Sequence, residues 1–420
     1  MTDDRIDPAG AGESAHAGDD APDADTSRDR ARKLDGQGPQ GPQDELLPFI
    51  NNFHDIFTSL GVIILFVGLA VGAGQVIAAY GGVLGETGAL IGGMASSLLL
   101  AVIALALSAL LVGAQRRILP GIVLSLIFVY NIAGLLVLGF EMIVGIVTGS
   151  STMAALEAAG AAEAGAEEAA VQPFTIENIL GYLAGLPAYV RFYPLVFALS
   201  FLAPAMLYYR LFRLPFAGGL AGVGVGLSII AALAALLPEL ALTYMPVLGL
   251  AFGVFLFIAG LVFDMRDPGR TTRLSGTGFW LNLFAAPALL TYSVTIANSG
   301  WTLNEYFDQA TAQAIGEEFD VTRSAIVTLI VMGIFALVSL LINRRALIVA
   351  GLLTTGTAIG LLVNESGLGV PIVITFTLVS LGAIVVILGA AWVPVRRVLL
   401  LPFPKRGFMA RLFPPVTILD

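Results

Sequence analysis

The chain has 420 residues and no cysteine, 57% of its residues are hydrophobic, only 12% are charged, and its mean hydropathy is +0.90. A soluble domain carries about 25% charged residues, so the composition excludes an ordinary soluble domain, and without cysteine there are no disulfides, thiolate nucleophiles or cysteine metal sites. The net charge of −9 hides a segregation of acids from bases along the chain.

Residues 1–45 are rich in Asp, Gly, Ala and Pro and nearly devoid of large apolar side chains. Such a segment buries too little surface to offset its ordering entropy, so a disordered acidic tail is expected. No basic stretch followed by an apolar one opens the chain, so the first span is expected to act as its own insertion signal. Leu46 to Asp55 turns semi-apolar and suits a short interfacial helix.

Ten apolar runs follow, at 56–79, 89–112, 118–140, 192–209, 216–237, 245–263, 275–297, 325–342, 346–363 and 370–393. Each is long enough to cross roughly 30 Å of hydrocarbon as a helix, and barrel strands would be half that length. The fold class is therefore all-α, a polytopic transmembrane helical bundle over 46–393, closed by a basic interfacial segment over 394–420.

Loop charges test the count. With loops assigned alternately to two sides, one side holds 19 of the 21 Lys and Arg, and the other holds only Arg191 and Arg323 beside Glu86, Glu141, Glu239 and Glu365. A wrong span count would scramble this alternation, so the positive-inside rule predicts both termini on the cytoplasmic side.

Two longer loops lie on the opposite face. Residues 141–191 contain an Ala/Gly/Glu tract followed by "FTIENILGYLAGLPAYV", which reads as an interfacial or re-entrant half-helix over 174–190, or as a plain loop. Residues 298–324 space Leu303, Tyr306, Phe307, Ala310 and Ala314 as one face of a short amphipathic helix. Two basic pairs open similar spans, from Gln115 and from Asn343, which leaves an ancient hairpin duplication and simple charge selection both open. Glycine-rich stretches such as "GGLAGVGVG" and "GLLTTGTAIG" predict close helix crossings. After the last span, Arg396, Arg397, Lys405, Arg406 and Arg411 interleave with Leu, Phe and Met, a pattern suited to anionic lipid headgroups rather than nucleic acid.

The longest polar turn on the basic side, Phe263 to Ser275, runs into a span carrying Trp280, Asn282 and Pro287. Arg266, Arg270 and Arg273 are candidates for binding a phosphate headgroup, or else partners of Asp264 and Asp267 in a salt-bridged cap. Within the spans, Asn131, Asn282, Tyr292, Thr354 and Thr355 are the candidates for lining a cavity or binding a ligand. The alternative for each asparagine is an interhelical hydrogen bond worth only about 1 kcal/mol. No charged residue is expected at the depth of Asn282. Pro287 and Pro204 should kink their helices. His54 and Asp55 make a candidate acid–base pair without a third group. The only other histidine is His16, which excludes a three-histidine centre. Neither metal nor other cofactor is expected, and no catalytic residue is assigned.

The stretch "DMRDPGRTTRLSGTGFWLNLFAAPALL" resembles a segment of uncharacterised multi-pass inner-membrane proteins of Gram-negative bacteria, in which an Asp-Pro turn leads into a Trp-Leu-His-Leu-Leu-Ala-Ala-Pro helix. The resemblance covers residues 264–290 and implies a bacterial inner-membrane location. It implies no activity, and Asn282 stands where the resembling segments tend to carry histidine. The sequence points first to a non-enzymatic integral membrane protein with a structural, assembly or sensing role. A transporter for a small or lipid-like solute is the main alternative, and a lipid-modifying enzyme the third. The expected partners are the bilayer, anionic headgroups at the basic loops, and another membrane protein or a second copy of the chain. A polar path joining Asn131, Asn282 and the Thr354–Thr355 pair would favour transport, and a dry core of small residues would favour the structural role.

Overall fold

Apolar runs of about 20 residues leave the backbone no option in hydrocarbon but to satisfy its own hydrogen bonds, which a helix does. The computed structural model describes residues 53–152, 180, 186–267, 273–307, 321–343, 346–365 and 369–402. It places a helix over every one of the ten predicted spans. The elements are α1 (Phe53–Ser108), a π-helical continuation Ala109–Ala114, α2 (Leu119–Thr148), α3 (Ala188–Arg191), α4 (Tyr193–Phe212) and α5 (Pro215–Leu236). They continue with α6 (Pro238–Thr243), α7 (Met245–Arg266), α8 (Arg273–Ser299), α9 (Val321–Ile342), α10 (Ala346–Glu365) and α11 (Val370–Leu399). Among the described residues nine helical stretches are long and apolar enough to cross a membrane, and α10 covers the one remaining predicted span, 346–363. The protein is an all-helical, multi-span membrane bundle.

The first two predicted spans form one assigned helix, α1, broken at Gly85 by non-helical torsions, φ 69° and ψ −170°. Past this break the second arm folds back, so that Gly92 faces Ile77 and Val62 and Phe66 join Leu100, Ala101 and Ala104 in one buried cluster. Leu124 and Phe128 of α2, Ala205 and Tyr208 of α4, and Phe216, Ala217 and Leu220 of α5 belong to the same cluster. At the end of the hairpin, Arg117 pairs with Asp55 at 3.4 Å and donates to the Thr58 hydroxyl at 2.8 Å. Asp55 therefore belongs to a structural ion pair, and its neighbour His54 is exposed.

Glycines set the second half of the core. On α5, Gly218 and Gly219 lie against Thr277 and Trp280 of α8, Gly222 against Leu281, and Gly226 against Phe252 of α7. This is the close crossing expected of "GGLAGVGVG". Helices α7 and α8 form the most extensive pair in the bundle. Their antiparallel register sets Gly249 against Tyr292, Gly253 against Leu289, Gly260 against Asn282 and Gly278 against Asp264. Pro204 and Pro287 both sit inside continuous helices.

The last span differs from the boundary drawn on hydropathy. Helix α11 continues past 393 to Leu399, and its end docks on the end of α9. Arg396, only 2% exposed, donates from Nε to the Leu340 carbonyl at 3.1 Å, and Trp392 donates from its indole nitrogen to Asn343 Oδ1 at 3.0 Å. Leu340 is among the last four residues of α9, whose carbonyls lack intrahelical donors, so a buried guanidinium is well placed there. Arg396 is thus a helix cap, and the exposed Arg397 keeps the solvent or headgroup environment expected of both. The N-terminal tail, the Ala/Gly/Glu tract, most of 174–190, the Asp-Pro turn from Pro268, Arg344 and Arg345, and 403–420 lie outside the described residues. Of the short amphipathic helix predicted within the 298–324 loop, Leu303 to Phe307 are helical, and Ala310 and Ala314 lie outside the described residues.

Candidate functional site

A carboxylate and an amide meet inside the bundle where α7 and α8 cross, toward the Asp-Pro turn. Helix α7 keeps its helical path to Arg266, so Asp264 is in its last turn and points along the same face as Gly260, one turn earlier. Opposite lie Gly278 and Asn282, again one turn apart. A β-carbon on Gly260 would stand 2.7 Å from the Asn282 amide oxygen. One on Gly278 would stand 2.5 Å from an Asp264 carboxylate oxygen and 2.9 Å from the Gly260 carbonyl. The two glycines therefore form the slot that the carboxylate and amide fill.

In that slot Asn282 Nδ2 donates to Asp264 Oδ2 at 3.4 Å, a long bond. Asn282 is completely buried, and its Oδ1 has no hydrogen-bond partner. An amide oxygen left in this condition costs about 1–3 kcal/mol. Asp267, Ser275 and Thr277 are buried close by in sequence, so this end of the hairpin concentrates polar groups. Packed beside it are Trp280, Phe216 and Phe284, with Trp280 edge-on to Phe216 at 4.7 Å between ring centroids.

The expectation that no charged residue shares the depth of Asn282 is overturned by this contact. Hydropathy ends the sixth span at Phe263, whereas the helix continues and carries the Asp264 carboxylate inward. The signal available in sequence was the spacing: Gly260 and Asp264 on one helix, Gly278 and Asn282 on the next, each pair four apart.

The other candidates go elsewhere. Asn131 is buried, but its Nδ2 donates to Ile127 of its own helix at 2.8 Å. The Thr355 hydroxyl likewise donates to the Gly351 carbonyl at 2.9 Å, and the Thr354 side chain lies outside the described residues. Tyr292 lays its ring over Gly249. Arg266 is exposed at the end of α7, Arg273 opens α8 with its side chain outside the described residues, and Arg270 lies in the turn outside them. A second buried polar group missed in sequence is Tyr208, fully buried on α4. Its hydroxyl donates to Ser108 Oγ at 2.9 Å, and Ser108 in turn donates to the Ala104 carbonyl at 2.6 Å. Among the described residues no group of three or more His, Cys, Asp or Glu side chains converges as a metal site would require.

Fold and site together define a multi-span helical membrane protein with a buried amide paired to a half-buried carboxylate in a glycine-lined crossing. No family model matches the chain, and neither the curated proteins nor the solved structures compared with it give a match.

Proposed function

We infer that the chain is a non-enzymatic protein of a bacterial inner membrane, with both termini cytoplasmic and a structural, assembly or sensing role. The observation that carries this reading is how the buried polar groups are satisfied. The buried Asn131, Ser108, Ser125 and Thr328 and the half-buried Ser228 and Thr355 all donate back to carbonyls of their own helices, so none of these six needs a solute or water path. Glycine-to-side-chain packing between α5, α7 and α8 is the dry, small-residue core this role calls for. The charge alternation supports the orientation, and the likeness of residues 264–290 to Gram-negative inner-membrane proteins supports the location. Basic loops at the cytoplasmic face suit anionic headgroups.

The test is an untargeted lipid and metabolite comparison of a deletion strain with wild type, with rescue by Asn131→Leu and Thr355→Val chains. Full rescue by both is expected. Lost rescue at normal folded yield would turn the reading to transport of a small or lipid-like solute. Asp264 favours that second reading, since a carboxylate within a span commonly marks a transport or proton path.

A further inference from the structure

Asn131, buried, and Asn298, half-buried, share a solution that Asn282 does not use. Asn131 and Asn298 donate from Nδ2 to carbonyls one turn back along their own helices, Ile127 at 2.8 Å and Val294 at 3.1 Å. For Asn282 the equivalent acceptor is the Gly278 carbonyl. Its amide instead reaches 3.4 Å to Asp264 and leaves its oxygen unpartnered at complete burial. With the amide turned over, Oδ1 would take the place of Nδ2 beside the carboxylate. Two oxygens facing each other then require a hydrogen between them. The amide and carboxylate occupy the space that β-carbons of Gly260 and Gly278 would take, so the slot has no room for a hydrated ion. A proton needs none.

We propose that Asp264 and Asn282 form a proton-binding site inside the α7–α8 crossing. A proton from the solution at the Asp-Pro turn adds to one Asp264 oxygen, and the new O–H donates to Asn282 Oδ1. Asn282 Nδ2 leaves the carboxylate for the Gly278 carbonyl. One O–H bond forms, no bond between heavy atoms breaks, and the pair goes from one negative charge to none. Asp264 is half-buried and only two residues from the end of its helix, so the proton reaches it from the turn without crossing the bundle.

The charged residues at this end of the neighbouring elements are Arg266 ending α7, Asp267 just after it, Arg273 opening α8, Arg210 in the last turn of α4 and Arg213 preceding α5. Helix α5 carries none, and Arg323 of α9 and Glu365 of α10 stand at the opposite ends of their helices. Arg270, Arg344 and Arg345 belong to the neighbouring connections. The site goes beyond both functional readings, and its test depends on neither.

Infrared difference spectroscopy on the full-length protein in lipid vesicles, titrated with pH, reads the carboxyl directly. The expected result is a protonated-carboxyl stretch that grows as pH falls and is missing from Asp264→Asn. In Asn282→Leu the band should move to higher frequency, because the carboxyl has lost its acceptor. Should Asp264→Asn fail to fold, Asp264→Glu must displace the band. Absence of a titrating carboxyl band in the wild type, a band untouched by substitution at 264, or an unmoved band in Asn282→Leu overturns the proposal.

Discussion

In the hairpin that α1 makes with α2, Gly61, Gly68, Gly72 and Gly74 face open space, Gly93 and Gly139 meet only the ends of Leu138 and Met94, and Phe66, Leu100, Leu124 and Phe128 are buried in the core there. In the hairpin of α7 with α8, Gly249, Gly253, Gly260 and Gly278 each receive a side chain or backbone atom from the other helix. The same residue type is mostly open to its surroundings in one place and the seat of the packing in the other. Polar groups follow suit. Asn131 closes on its own helix, whereas Asn282 closes on its neighbour.

The sharpest way to break this contrast is to fill the glycines. Gly253→Leu should cost about 3 kcal/mol, since a β-carbon there would stand 2.8 Å from the Leu289 backbone nitrogen and backbone cannot give way as a side chain does. Gly68→Leu should stay within about 0.5 kcal/mol. Thermal unfolding of the purified variants separates the two, and equal losses would remove the distinction between the hairpins.

A smaller effect is expected where a polar group crosses between other helices. Arg396→Ala removes the guanidinium that caps α9 and should cost about 2 kcal/mol, whereas Arg397→Ala should stay within about 0.5 kcal/mol. Detergent-extracted folded yield and melting temperature measure the difference. A third comparison is Asn282→Leu, at about 1–2 kcal/mol, against Asn131→Leu, at less than about 1 kcal/mol. Asn282→His should be tolerated, because an imidazole can still donate to Asp264. A larger loss for Asn131→Leu would mean that the first hairpin depends on its polar group more than the second does. The smallest effect belongs to Tyr208→Phe. It keeps the ring against Phe128 and Phe212, gives up the hydrogen bond to Ser108, and should cost about 0.6 kcal/mol in chemical denaturation.

The ten helices were legible because spans of about 20 apolar residues and the alternation of loop charge are independent signals that agree. The polar pair was not. Hydropathy marks where a run stops being apolar, and at Phe263 that is three residues before α7 ends, enough to assign Asp264 to a loop. The basic pair at 396 and 397 failed for a related reason. Neighbouring residues on a helix point about 100° apart, so two arginines that look equivalent in sequence meet a helix end and open surroundings respectively. By contrast, the glycines of α5 announced their crossing, because several small residues in one span have few other uses.

The break at Gly85 sets the path of the first two spans. Continued without it, the 56 residues of α1 would form a rod about 84 Å long, nearly three times a hydrocarbon layer of about 30 Å. One pair of torsions, at a positive φ that glycine adopts freely, converts that rod into two crossings with no intervening loop. The first reversal of the chain thus depends on a single residue. A β-branched side chain at 85 would oppose the reversal itself, and with it the sidedness of every helix that follows.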